Sequence, residues 1–523
     1  MRTIWYSLAW KEWHEHKWKL ASIVAILWGV TSLALLMAGQ EMFDLALGLL
    51  FLSIVPLAVF VGLGAAANER SSGTLPFLQS LPVPMWRVAL SKLLFGLLTI
   101  FVPIVLTVLL FYFWTLGLDA LGVDYRDALR RVARGSPLSD TGNWYLDAVI
   151  FCAPIAASLL IWSAATGVNR KDEISAGAVA LAVMAGWCLL LTLMFLLFLR
   201  TEAARSDDGK AWLAVIGIST APGGIGAANE VSDGRGDYLM LSLFTATITH
   251  LGLATWYVVR FGRIANVEIR SPQVAVRGAG RLDWLAPPRR SMIAAIAWKQ
   301  FRESGPIVLA GLAGIVGVVA FVIAGDALFI AGGPDLMLGM VYARVAIVFG
   351  FFVALVVGIG VCLYDVGPRL NTFWRSRPIH PDLWFWCKYA TGLAVLLAVI
   401  YVPILLIAAL GDTSVDDGTN YPEAINIPLG QIAVFAAAVA MTCLVRHAVY
   451  AAILSIPMVY LGIMLVWMTI VMARLIGWVE RPIGGLWELS DMQVAAGFVM
   501  SFVISTLVAW LAVRYDWGYK SRY

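Results

Sequence analysis

The stretch from Leu93 to Leu118 reads LLFGLLTIFVPIVLTVLLFYFWTLGL, with Lys92 immediately before it and Asp119 immediately after it. Its 26 residues carry no charge. A hydrocarbon core about 30 Å thick is crossed by roughly 20 helical residues, so this segment is long enough to span a bilayer. Twelve more charge-free stretches of at least 18 residues flank it. They are Leu20 to Met37, Leu45 to Asn68, Ala148 to Asn169, Ile174 to Leu199, Ala211 to Asn229, Tyr238 to Val259, Ser304 to Gly325, Val345 to Leu363, Tyr389 to Gly411, Ala424 to Val445, Ala448 to Ala473 and Met492 to Val513. A transmembrane barrel would instead alternate in segments of about ten residues. In lipid the backbone must otherwise be satisfied within each helix, so the stretches predict an all-α polytopic membrane protein. With 61% hydrophobic and 13% charged residues the chain departs far from soluble proteins, which are about half apolar and about a quarter charged. A soluble enzyme is excluded.

The Ala211 to Asn229 stretch contains Ala221-Pro222-Gly223-Gly224-Ile225-Gly226, a break that suits a re-entrant hairpin better than a spanning helix. Twelve spans then remain, and both termini fall on one side. With that side taken as cytoplasmic, its segments hold 26 of the 37 basic residues and 11 of the 33 acidic ones, the asymmetry of the positive-inside rule. Letting 211–229 span would move the basic 260–305 connector outside and destroy that asymmetry. The nineteen residues before the first stretch, rich in Trp and charge, are too long a lead for an ordinary secretory signal, and the expectation is an uncleaved first helix. Cys152, Cys188, Cys362, Cys387 and Cys443 form no CxxC pair and read as small core residues, not as a disulfide framework or a zinc site.

Three anchors recur along the chain. Ala9-Trp10-Lys11-Glu12-Trp13 and Glu15 match Ala297-Trp298-Lys299-Gln300-Phe301 and Glu303 at an offset of 288. Glu69, Phe77, Ser80, Pro82, Lys92 and Gly96 match Asp365, Phe373, Ser376, Pro378, Lys388 and Gly392 at 296. Trp256, Val259, Arg260 and Phe261 match Trp510, Val513, Arg514 and Tyr515 at 254. The anchors hold the same topological place each time: before the first span, between the second and third, and at the end of the sixth. The chain therefore reads as two parallel six-helix repeats, residues 1–260 and 291–523, joined by a polar, Arg-rich cytoplasmic connector over 261–290.

Before the first span of each half, Trp10, Lys11 and Trp13, and again Trp298, Lys299 and Phe301, mix aromatic rings with charge. That composition suits a helix in the interface plane, rings at headgroup depth and charges in water, and serves either a plain anchor or a specific contact. His14 and His16 invite a metal reading, but positions i and i+2 face different sides of a helix. Between the second and third spans, Asn68 to Arg87 contains Glu69, Gly73, Thr74, Leu75, Phe77, Ser80, Pro82 and Trp86, with Lys92 entering the next span. Its counterpart contains Asp365, Phe373, Trp374, Ser376, Pro378 and Lys388. An acid at a span end, a short amphipathic helix, a Ser-x-Pro stop and an entering Lys describe a compact cytoplasmic knob.

In these residues the chain resembles the type-2 export permeases of the ATP-binding-cassette superfamily, in which an interfacial elbow helix precedes the first span and a coupling helix follows the second. The first loop matches at Glu69, Gly73, Thr74, Leu75, Ser80, Pro82 and Lys92, whereas Arg369-Leu370 stands where the second loop would repeat Gly73-Thr74. The resemblance implies a permease subunit of an ATP-driven exporter. It implies partner ATPase subunits, two of them, which carry the ATP and Mg while this chain binds no cofactor. The expected setting is a prokaryotic cytoplasmic membrane with lipids as neighbours and no nucleic acid. It also implies an extracellular gate at Pro222, Gly223 and Gly224 and at Pro482, Gly484 and Gly485, for which a simple loop is the other reading. Ser242, Thr245 and Thr249 share a face of the sixth span and either line a path or bond their own backbone. Arg126, Arg130 and Arg134 mark an outer helix that is either headgroup-facing or an anionic entrance.

The residues themselves add two exclusions. Gly209-Lys210 lacks both the first Gly and the final Ser or Thr of a phosphate-binding loop, so this chain is not expected to hydrolyse ATP. The middles of the spans lack Asp, Glu, Lys and Arg, which leaves the main rival, a twelve-helix secondary carrier of the major-facilitator type, without an ion relay. A polytopic membrane enzyme ranks third. Of five histidines, only His250 sits in a span. The lack of charge inside favours a hydrophobic or amphipathic cargo.

Overall fold

The computed structural model describes residues 2–36, 40–71, 73–120, 144–170, 173–198, 217, 219–222, 236–263, 291–329, 338–366, 371, 375, 379–409, 421–476 and 491–517. In chain order its helices are α1 (Arg2–Leu36), α2 (Gln40–Ser71), α3 (Leu75–Ser80), α4 (Met85–Ala120), α5 (Trp144–Gly167), α6 (Glu173–Phe198), α7 (Gly236–Arg260), α8 (Met292–Phe329), α9 (Leu338–Val366), α10 (Pro381–Ala409), α11 (Tyr421–Val445), α12 (Ala448–Ile476) and α13 (Asp491–Tyr515). No strand occurs among the described residues. The Arg126 to Arg134 segment, most of 211–229 and the connector beyond 263 lie outside them.

Six of these helices contain stretches long and apolar enough to cross a membrane: Met85–Leu110, Ser175–Met194, Pro381–Pro403, Asn426–Val445, Ala448–Arg474 and Met492–Tyr515. Their outward faces are apolar. Leu94, Leu98 and Leu109 on α4, Met468 and Met472 on α12, and Val503 and Leu507 on α13 are all exposed. Helix faces of this kind in water would be an aggregation liability, whereas in hydrocarbon they are the solvated face. The chain is an α-helical integral membrane protein.

Helix α1 departs from expectation in two ways. The elbow is not a separate element, because α1 runs unbroken from Arg2 to Leu36. Neither Gly nor Pro interrupts residues 2–28, so nothing stops the helix between the Trp-rich segment and the apolar one. Its polar residues also lie elsewhere than expected: Leu8, Glu12, His16, Lys19 and Ile23 form the buried stripe, while Trp10, Trp13 and Trp18 point outward, as interfacial rings do. The polar groups at 12, 16 and 19 are therefore inside the protein and not in water.

Packing recurs along the chain. Helix α1 lies on α2 and α4, as α8 lies on α9 and α10; α2 lies on α5 and α6, as α9 lies on α11 and α12; α7 lies on α4 and α5, as α13 lies on α10 and α11. Contacts between the N-terminal and C-terminal groups repeat too, since α1 and α2 touch α12 while α8 and α9 touch α6. Glycines permit the closest crossings. A Cβ on Gly62 would lie 2.6 Å from Leu160 O and 2.9 Å from Ser163 Cβ, and one on Gly358 would lie 2.7 Å from Phe435 O and 2.8 Å from Ala438 Cβ. Gly62 and Gly358 differ by the same 296 positions as Glu69 and Asp365.

Candidate functional site

At one end of the bundle, α1, α2 and α4 meet in a buried cluster of charges. Lys11 Nζ lies 2.8 Å from Glu69 Oε1, 2.7 Å from Glu15 Oε1 and 3.4 Å from Glu12 Oε1. Lys92 Nζ lies 2.8 Å from the same Glu69 oxygen, 3.3 Å from Glu12 Oε1 and 3.7 Å from Glu15 Oε2. Glu12 is 0% exposed, Lys92 2% and Glu69 4%. Burial opposes ionisation of Glu69, but Lys92 and Lys11 outweigh it and hold the carboxyl at about 2. The opposite holds for His16, which burial, helped by Lys19, Lys92 and Lys11, keeps neutral with a pKa of about 2. Its 3.7 Å approach to Glu12 is thus no ion pair. Glu12, Glu15 and Glu69 bring carboxylate oxygens within 4.8 Å of one another, a spacing that could hold a metal ion. The ammonium groups of Lys11 and Lys92 already bridge those oxygens and supply the compensating charge.

The short helix α3 is tied to this clamp. Gly73, at φ 74°, ends α2 with its N–H donating to Arg70 O at 3.1 Å, a left-handed cap that suits glycine. Thr74 stands at the N-cap of α3 but makes no capping bond. Its hydroxyl donates to the Glu69 carboxylate instead. Leu75 and Leu78 turn inward, Phe77 is 65% exposed, and Ser80 Oγ donates to Phe77 O at 2.7 Å just before the extended Leu81 and Pro82.

A second clamp joins α8, α9 and α10. Lys299 Nζ lies 2.7 Å from Asp365 Oδ1 and 3.6 Å from Glu303 Oε1. Lys388 Nζ lies 2.6 Å from Asp365 Oδ2 and 3.7 Å from Glu303 Oε2, and donates to Val361 O at 2.9 Å. Burial resists ionisation of Asp365, and Lys388 and Lys299 again pull its pKa below the ordinary value. Here Gln300 replaces Glu12 and bonds Ser304 at 2.6 Å, leaving two acids to two lysines. The Lys299 side chain is 52% exposed, so this clamp is the more open one.

A further set of contacts ties each loop to the end of its last helix. Arg70 Nη1 donates to Asn169 O at 2.7 Å, Asn169 Nδ2 to Arg260 O at 2.9 Å, and Gln79 Nε2 to Gly262 O at 2.7 Å. In the C-terminal group Asp516 accepts from Arg446 Nη2 at 2.5 Å and from Asn371 Nδ2 at 3.0 Å, while Arg375 donates to Asn371 and to Val513 O. The left-handed residues fall at the joints, Asn169 and Arg446 in one pair, Gly262 and Asp516 in the other. Gly262 and Asp516 differ by 254, the offset of the third sequence anchor.

Of the residues singled out in the sequence, the structure thus gathers Lys11, Glu69, Thr74 and Lys92, and separately Lys299, Asp365 and Lys388. Trp10, Trp13, Phe301 and Trp86 are exposed, and Trp298 stacks on Phe301 with ring centroids 6.2 Å apart. Phe373, Trp374, Ser376, Pro378, Gly223, Gly224, Pro482, Gly484 and Gly485 lie outside the described residues. Pro222 is half-buried, and nearby Ser219 Oγ meets Thr245 Oγ1 at 2.5 Å. Ser242 is buried, Thr249 is half-buried, and α7 itself packs on α4 and α5 at the edge of the bundle. Sequence reasoning missed Glu12 as a clamp member and Arg70, Asn169, Arg446 and Asp516 as loop ties; Asp516, at an anchor offset from Gly262, carried the only signal. No protein-family model, curated protein or solved structure matches this chain.

Proposed function

We propose that the chain is the permease subunit of an ATP-driven exporter, two parallel six-helix halves with twelve spans, powered by separate ATPase subunits. The observation that carries this reading is the duplicated clamp. In each half a carboxylate at the end of the second long helix binds one lysine from the first helix and one from the third. Among the described residues the twelve long helices run from 24 to 38 residues, so the shortest is roughly 36 Å, enough for a bilayer core. The matching helix contacts and the paired glycine crossings support the repeat.

The mechanism follows from the connections. A motor subunit on the cytoplasmic side presses on the knob formed by α3, where Phe77 offers an exposed apolar contact. Because Thr74 bonds Glu69, and Glu69 binds Lys11 and Lys92, force on α3 reaches α1, α2 and α4 together. Helices α1 and α2 in turn rest on α12, and α8 and α9 rest on α6, so such movement works the seam between halves. The passage we propose follows that seam rather than the Ser242, Thr245 and Thr249 face of α7. Its apolar character suits a hydrophobic or amphipathic cargo. The Ser219–Thr245 contact supports a re-entrant segment around Pro222: Thr245 lies nine residues into α7, roughly 14 Å from its start, and an outer gate there agrees with this depth.

Copurification tests the reading. The chain is expected to carry ATPase subunits with it and to show no ATP turnover alone. Glu69→Ala and Asp365→Ala are expected to leave insertion intact while lowering ATP turnover by the complex and transport. Disruptive changes in both loops that leave partner binding and transport at wild-type levels would remove the exporter reading and return the chain to the secondary carriers.

A further inference from the structure

Beside the first clamp, but separate from it, Arg87 lies against a pair of touching indoles. Its Cζ lies 5.7 Å from the Trp5 ring centre and 5.2 Å from that of Trp86, and the two indole centroids are 6.2 Å apart. Arg87 Nε is buried and finds no acceptor among the described residues. Among the described residues no carboxylate pairs with the guanidinium either. Glu12, Glu15 and Glu69, on the helices packed against α4, are engaged by Lys11 and Lys92. The surroundings add positive charge, because Met85 packs against Gly262 at the end of α7, where exposed Arg260 lies over Trp256 at 4.3 Å.

The equivalent place in the C-terminal half is built differently. The offset of 296 puts Asp382 and Leu383 where Trp86 and Arg87 stand, and the offset of 288 puts Ile293 opposite Trp5. There Asp382 accepts from Trp510 Nε1 at 2.9 Å and pairs with Arg514 at 3.6 Å, so the charge is neutralised within the chain. The first half keeps its cation, and no carboxylate among its described residues is paired with it.

Arg87 precedes the charge-free stretch beginning at Leu93 by six residues, roughly 9 Å along the helix, which places it at headgroup depth. Exposed Tyr6, Trp10 and Trp86 mark the same level. We infer that Trp5, Trp86 and Arg87 form a binding site for the phosphate of an anionic phospholipid in the leaflet nearest α3. A planar guanidinium laid against an aromatic pair can turn an edge to two phosphate oxygens, a geometry an ammonium group lacks. The inference requires only that α4 crosses a membrane, and it stands apart from the exporter reading.

Native mass spectrometry of the intact chain, released from mixed micelles of phosphatidylglycerol and phosphatidylcholine, tests it. Wild type is expected to retain phosphatidylglycerol about fivefold in preference, the effect of one cation near an anionic surface. Arg87→Gln should abolish the preference, Trp86→Leu should weaken it, and Arg514→Gln, in the self-paired half, should leave it unchanged. Trp86→Leu keeps the test alive if Arg87→Gln fails to fold. Equal retention of both lipids by wild type, or an unchanged preference in Arg87→Gln, would overturn the site. Displacement of the lipid by millimolar inorganic phosphate would reassign it to a free anion. An Arg87→Gln chain that keeps its lipid and loses a copurifying subunit would reassign it to a protein contact.

Discussion

Removing Glu69 takes away the buried carboxylate oxygen that Lys11 and Lys92 both approach at 2.8 Å and leaves them only Glu12 and Glu15. Taking one partner from a buried ion pair costs about 3 to 5 kcal/mol, because the remaining charge stays desolvated. Glu69→Ala should lower stability by that order in thermal unfolding of the detergent-solubilised chain. Asp365→Ala should cost less, since Lys299 is half exposed and water screens what the substitution leaves behind. A larger loss at Asp365 would show that burial does not set the ranking. Histidine titration gives a second prediction at this scale. Burial lowers the pKa of His16 to about 2, and burial with Lys19 lowers that of His447 to about 4, so both are neutral in the fold and take up protons on unfolding below their ordinary value near 6.5. Unfolded chains then bind more protons, and stability falls as pH drops through that window, by at most about 1.4 kcal/mol per pH unit for each group. Melting temperature should decline from pH 7 to pH 5, and His16→Gln with His447→Gln should flatten the decline. A slope unchanged in the double variant would assign it to other groups.

Between elements, approach distance is set by side chains that are missing. Gly62 and Gly358 let α2 and α9 come within backbone contact of α5 and α11, the small-residue packing that membrane helices use in place of a hydrophobic drive. A methyl group at either position meets a carbonyl oxygen inside 3 Å, so Gly62→Ala and Gly358→Ala should each destabilise by about 1 to 3 kcal/mol. Gly252 in α7 has nothing within 4 Å of its would-be Cβ. Gly252→Ala should therefore gain up to about 1 kcal/mol from helix propensity. Unfolding midpoints of the three variants in one detergent decide the matter, and a neutral Gly62→Ala would refute the close crossing.

Across the whole molecule, charge distribution sets orientation. Reporter fusions after Lys19, Asn143, Gln273 and Tyr523 should read inside, outside, inside and inside, since 26 of the 37 basic residues fall on one side when twelve spans are drawn. An outside reading at Gln273 would require 211–229 to span and would break the repeat. Contacts of α1 and α2 with α12, and of α6 with α8 and α9, hold the two groups of helices together without help from the connector. Coexpressed fragments cut at Gln273 should accordingly copurify, and fragments that separate would show that the covalent link carries the association.

Membrane residence, helix class and the identity of Lys11, Glu69, Lys92 and their counterparts as residues apart from their neighbours were all legible in the sequence. Hydropathy and charge act locally, so a run such as Leu93 to Leu118 declares itself without reference to the rest of the chain. Offsets of 288, 296 and 254 aligned the lysines, acids and Trp–Arg pairs for the same reason. Which charges meet was another matter. Glu12 and Glu15 look alike in a helix otherwise rich in charge, and only the packing of α1 on α4 makes Glu12 the fully buried one. The same packing turned His16 and Lys19 inward, where a free interfacial helix would leave its charges in water. The partners of Asp516, Arg446, Asn371 and Arg375, lie 70 to 145 residues away, beyond the reach of any local pattern. A sequence states what each side chain prefers; three helices converging on one point decide which preferences are satisfied by protein and which are left to lipid and water.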